Sequence, residues 1–143
     1  MRKSVLFLLG VLYLVSVVVV TFFGIQARMD QFKVYITSLE ITNEEVTLNS
    51  NNDKVVKLVF KQNEETVSFW VETKVEPSNA TNKQLEYILS DSNGNPMSEE
   101  KVVVSDKGEV VFKMPCLTYL RVNTTDGSSL HESLILSCTK KRS

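Results

Sequence analysis

The feature that most constrains this chain is an uncharged apolar run, VLFLLGVLYLVSVVVVTFFGI, from Val5 to Ile25. A helix rising about 1.5 Å per residue over that stretch spans a hydrocarbon core of roughly 30 Å. Arg2 and Lys3 precede the run, and basic residues on that side favour a cytoplasmic N-terminus. The following flank, Gln26-Ala27-Arg28-Met29-Asp30, mixes signs and does not oppose that orientation. A cleaved secretory signal is the competing reading; its apolar stretch is usually about 7–15 residues and ends at small residues. Here the run is longer, and the nearest candidate cut, after Ala27, finds bulky Ile25 where a small residue is wanted. The expectation is an uncleaved signal-anchor transmembrane helix over residues 1–27 and a spacer over 28–33. The chain then reads as a single-pass cell-membrane protein whose C-terminal domain is extracellular.

The remainder has a different chemistry. All 17 acidic residues lie after the apolar run, together with every basic residue except Arg2 and Lys3, which leaves this part mildly acidic. A nucleic-acid partner is not expected, because neutralising phosphates needs a basic excess. One histidine and two cysteines rule out His-rich metal sites and four-cysteine zinc sites. No cofactor is expected.

Apolar residues recur here with a period of two almost throughout, the mark of half-buried strands. The alternation predicts strands over 34–41, 45–49, 54–61, 67–75, 84–90, 101–105, 109–114, 117–124 and 130–139. Between them lie Asn49-Ser50-Asn51-Asn52, Pro77-Ser78-Asn79, Asn93-Gly94-Asn95-Pro96, Lys107-Gly108 and Asp126-Gly127. These residues tolerate positive φ or bond their own backbone, as turns require. Short strands separated by turns at intervals of roughly ten residues predict an all-β sandwich or barrel over 34–139. The basic residues after it form a tail over 140–143.

Part of this domain resembles a known family. Val75-Glu76-Pro77-Ser78-Asn79-Ala80-Thr81-Asn82-Lys83 looks like the signature bend of bacterial immunoglobulin-like group 2 (bacterial Ig-like group 2) domains, the modules of invasin- and intimin-type surface proteins. The likeness continues through Gly108-Glu109-Val110-Val111, then from Leu120 to Ser128, and into Leu134-Ile135-Leu136-Ser137-Cys138. Three departures stand out. Tyr87 occupies the place of the family's tryptophan, an additional strand-like run covers Lys54 to Lys61, and Met114-Pro115-Cys116 replaces a small Ala-Gly pair. The resemblance implies an immunoglobulin-like β-sandwich, preceded here by one N-terminal transmembrane helix. It carries no catalytic residues over, since such modules act through their faces and edges.

Each candidate site has a plainer reading beside it. His131 falls on the face of its strand opposite Leu130, Leu134 and Leu136, and no G-x-S-x-G or H-E-x-x-H motif supplies a nucleophile or metal partner. Asp91-Ser92-Asn93-Gly94-Asn95-Pro96 spaces oxygens as a calcium loop does. It lacks the glycine and glutamate an EF-hand needs, so a hairpin turn accounts for it and weak calcium binding is the alternative. Asn79-Ala80-Thr81 and Asn123-Thr124-Thr125 match the glycosylation acceptor pattern but also sit at turns.

Trp70 shares the outward face of its strand with Ser68, Glu72 and Lys74, where an aromatic serves as a contact surface or lies under a neighbouring side chain. Cys116 and Cys138 are expected to face each other across the last hairpin. With its turn centred on Gly127, paired residue numbers sum to about 254, and alternation points both thiols inward. A disulfide there is one reading; two reduced, buried thiols are the other.

The function expected is a non-catalytic cell-surface module for cell adhesion, docking or protein–protein interaction. Its partner would be another envelope or surface protein, or a glycan. The alternative is an accessory subunit of a membrane transport or secretion complex, in which the helix itself binds the partner.

Overall fold

The computed structural model describes residues 3–141. Two compact units divide it, Met1–Lys33 and Val34–Ser143. Arg2, on which the expected orientation drew, and Arg142 and Ser143 of the expected tail lie outside the described residues.

In the first unit, helix α1 spans Lys3–Gln31. Its Lys3–Ile25 stretch has a mean hydropathy of 2.8 and is long and apolar enough to cross a membrane. That property fits a membrane anchor and a signal sequence alike. The two hydroxyls within the run turn back on the helix: Ser16 Oγ donates to the Leu12 carbonyl at 2.8 Å and Thr21 Oγ1 to the Val17 carbonyl at 2.6 Å. Such back-bonding gives each hydroxyl an acceptor within its own helix. The helix continues through Gln31. Much of the stretch read as a spacer over 28–33 is therefore helical.

The second unit is all strand and turn. In chain order the strands are β1 (Ser38–Ile41), β2 (Thr47–Leu48), β3 (Lys54–Phe60), β4 (Val67–Trp70), β5 (Thr73–Glu76), β6 (Leu85–Ser90), β7 (Val102–Val104), β8 (Glu109–Phe112), β9 (Leu117–Thr124) and β10 (His131–Lys140). One layer is a five-stranded sheet in the order β2-β3-β10-β9-β6. Within it β3 runs parallel to β10, and the other pairings are antiparallel. Lys140, expected in the tail, closes β10.

The other layer contains β4-β8-β7 and β1-β5. Residues 67–75 read as one strand; the ladder instead breaks at Val71 and Glu72. The Val71 N–H donates to the Gly108 carbonyl, on the β8 side. The Glu72 carbonyl accepts from the Thr42 N–H, on the β1 side. Successive residues of an extended chain point their N–H and C=O groups to opposite edges. The segment therefore joins β1 on one edge to β8 on the other.

The inward faces of the layers meet in one core. Phe69, Val110 and Phe112 from one layer join Val56, Leu120, Val122, Leu134 and Leu136 from the other. The arrangement is sandwich-like. The one fully buried hydroxyl in this core, on Thr118, donates to the Ser90 carbonyl at 3.1 Å. A buried polar group so bonded costs little.

Residues 34–37, read as the start of the first strand, bond to turns as well as to a neighbouring strand. The Val34 N–H donates to Thr81 Oγ1 at 2.8 Å and the Ile36 N–H to Asp126 Oδ2 at 2.5 Å. Ile36 is buried there, at 2% exposure. The bend at Pro77–Thr81 and the turn at Asp126–Ser128 thus hold the point where the chain joins the domain.

Candidate interaction surface

The sheet pleat decides where Trp70 points. Along β4 the side chains of Val67 and Phe69 turn toward the core, and Ser68 and Trp70 turn away. Trp70 is 52% exposed, so about half of its surface is open to solvent. Glu109 of β8 lies directly across the ladder from Trp70, and Val111 lies across from Ser68 and from Val103 of β7. With Glu72 two residues along the chain, this face offers an indole, half-buried Val111 and Val103 on the neighbouring strands, and two carboxylates.

Asn43 fixes the backbone under the indole. Its Nδ2 donates to the Trp70 carbonyl and its Oδ1 accepts from the Glu72 N–H, each at 2.8 Å. Asn43 is 8% exposed. Here β1 has already turned away, and the side-chain amide supplies the donor and acceptor that another strand residue would have given. Nothing in the sequence around Asn43 signals this, because its partners lie 27 and 29 residues downstream.

A second contact missed by sequence reasoning ties the layers together. Gly108 has φ +86°, and a Cβ there would meet the Tyr87 ring at 2.9 Å. Tyr87 of β6 is half-buried against the core, with its ring lying on the glycine. Only the unusual backbone and the absent side chain at Gly108 permit that approach.

The other candidates are placed as follows. His131 is exposed at the start of β10. It lines an open cleft of about 530 Å³ with Tyr119, Lys54 and Glu132. The adjacent carboxylate is already engaged: Glu132 Oε2 pairs with Lys54 Nζ at 2.8 Å. Asp91 is enclosed by its own turn. Its Oδ1 accepts from the N–H groups of Asn93 and Asn95 at 2.8 and 2.9 Å, and Gly94 takes φ +83°. Hydrogen bonds from Asn95, then from Asn93 and Gly94, hold the carboxyl below its ordinary range. Among the described residues no group of three or more His, Cys, Asp or Glu is placed to hold a metal ion. Both acceptor-like triplets serve structure: Thr81 holds Val34, and Thr124 Oγ1 accepts from the Leu130 N–H at 3.1 Å.

A larger cleft of about 950 Å³ lies between Phe60, Lys61, Glu64, Lys113, Pro115 and Lys140. Lysines and glutamates mix around it, and it carries no single sign of charge. The outer face of the five-stranded layer exposes Val59, Ile88 and Leu117. They stand on three different strands, with Lys57 and Arg121 among them. Tyr35, Leu48 and Met114 are exposed elsewhere on the domain, and Trp70 is the largest of these exposed apolar side chains. Cys116 and Cys138 are brought together at the open end of the β9–β10 hairpin. The observed ladder pairs Leu120 with Leu134 and Thr118 with Leu136, and the Cys138 N–H donates to the Cys116 carbonyl at 2.9 Å.

No protein-family model matches the chain. No curated protein matches it either.

Proposed function

We propose that this chain is a non-catalytic, membrane-anchored cell-surface module that docks another envelope or surface protein through the sheet face around Trp70. The observation that carries the reading is a half-exposed indole on an open sheet, with the backbone beneath it bonded by the buried Asn43 amide. A large aromatic whose backbone is locked by a buried amide loses little freedom on contact, the condition under which tryptophan dominates binding energy.

The strand order supports an immunoglobulin-like identity. The layers β1-β4/β5-β8-β7 and β6-β9-β10 follow the A-B-E-D and C-F-G arrangement of such sandwiches. β3 then adds to the last strand in parallel. Tyr87 stands on the strand where immunoglobulin domains bury a tryptophan. This agrees with the resemblance to bacterial group 2 modules. The helix reads as the anchor, and the domain as the part outside the cell.

A membrane-impermeant amine crosslinker applied to intact cells tests this. The expected result is a discrete adduct of the full chain that weakens at least tenfold in Trp70→Ala, the scale of a hot-spot loss. An adduct unchanged by the substitution would overturn the Trp70 surface. Labelling only after lysis would overturn the extracellular placement. Adducts that persist in Trp70→Ala and form through photoprobes within the helix would favour the accessory-subunit reading. A glycan partner would show as adduct loss after carbohydrate removal.

A further inference from the structure

The β9–β10 ladder ends with Ser137 opposite Leu117, and one more step sets Cys138 opposite Cys116. The 2.9 Å bond from the Cys138 N–H to the Cys116 carbonyl marks this as a hydrogen-bonded position. Opposed residues at such positions have Cα atoms about 5.5 Å apart. A disulfide spans Cα separations of about 4.4–6.8 Å and needs Cβ atoms about 3.5–4.5 Å apart. The Cβ spacing of roughly 5.5 Å at a hydrogen-bonded pair must therefore close by about 1 Å for the bond to form. Both side chains take the inward side of the hairpin. Cys138 is 3% exposed within the core, and Cys116 is half-buried against the same cluster. Both are free thiols in the structure.

We propose that Cys116 and Cys138 are the site of a cross-strand disulfide, formed by exchange with an external disulfide. The proposal stands on the hairpin geometry and does not depend on the docking function. Exposure sets the order of the two steps. The Cys116 thiolate, the more accessible, attacks one sulfur of the external disulfide; that S–S bond breaks and one external thiol leaves. The Cys138 sulfur then attacks Cys116 Sγ, breaking the mixed disulfide and releasing the second external thiol. The protein gives up two hydrogens with two electrons, and the external disulfide becomes two thiols.

The surroundings set the rate. Burial pushes the Cys116 thiol up, opposed by the positive charge of Lys101. Burial, then the neighbouring Cys116, pushes Cys138 up to about 11. Only thiolates attack disulfides, so exchange is slow at neutral pH and quickens as the solution becomes alkaline. Once made, the bond closes the hairpin at the end away from its turn. β10 lies between β9 and β3, so the crosslink secures the middle of the five-stranded layer.

The test incubates the full chain, in detergent, with oxidised glutathione, followed by alkylation and intact mass measurement. The expected product is two hydrogens lighter, resists alkylation and reverts with reductant. Its thermal midpoint rises by roughly 10 °C, as closure of a loop of this length implies. Cys138→Ser should instead accumulate a glutathione adduct on Cys116, whereas Cys116→Ser should leave Cys138 unmodified until the chain is unfolded. Stable glutathione adducts on the wild-type chain would overturn the proposal. So would two thiols that stay reduced in the folded protein under an oxidant that couples them in urea.

Discussion

The two layers of the domain are built differently. The five-stranded layer contains the longest strands, β9 and β10, and the backbone does nearly all the pairing. Its inward row of Leu120, Val122, Leu134 and Leu136 is wholly buried. In the facing layer each strand is three or four residues long. Its gaps are filled by particular residues: Asn43 where β1 turns away, and Gly108 where β8 begins. The regular layer is held by continuous backbone pairing over a fully buried apolar row, whereas the patched layer also needs particular residues where its pairing breaks.

Truncation in the regular layer gives the largest expected effect. Leu134→Ala removes a side chain with no exposure and should cost about 3–4 kcal/mol in chemical unfolding. A loss below about 1 kcal/mol would mean that the layers do not meet as described. In the patched layer, Asn43→Ala should cost about 1–2 kcal/mol, because the Trp70 carbonyl and Glu72 N–H lose a buried partner. The same substitution should also weaken whatever binds Trp70, which Leu134→Ala should not do while the protein stays folded. Equal effects of the two variants on binding would erase the distinction between the layers.

The smallest effect concerns pH and the turn that joins β9 to β10. Burial pushes the Asp126 carboxyl up, but hydrogen bonds from the Ile36 N–H and from the hydroxyl and N–H of Ser128 outweigh it. They lower its pKa from 3.8 to about 2. A carboxyl depressed in the folded state contributes stability above its unfolded pKa and loses it as pH falls through the folded value. Unfolding measured at neutral pH and in acid should therefore show a loss between about pH 4 and pH 2. Asp126→Asn should flatten that part of the profile. An unchanged acid limb would show that Ile36 is held without the carboxylate.

The contrast between the layers also explains what could be read from the chain. The register of β9 and β10 followed from Gly127 and alternation alone, because a hairpin is local and one face of each strand is apolar. The strand over 67–75 was legible as extended chain, with Phe69 and Val71 inward. Its change of neighbour at Val71 and Glu72 was not, since the same alternation suits either partner. Trp70 could be assigned to the outward face, but whether anything covered it could not.

By itself, then, the amino-acid order determined an apolar helix long enough for a bilayer, a set of short alternating strands, and the meeting of Cys116 with Cys138. These rest on nearest-neighbour physics: hydrophobic period, turn chemistry and hairpin closure. Only the tertiary structure decided that β3 lies parallel to β10, that Asn43 secures the backbone beneath Trp70, and that Tyr87 rests on Gly108. Each joins residues far apart in sequence. A side chain's local pattern records which way it faces, but not which distant group will be there to meet it.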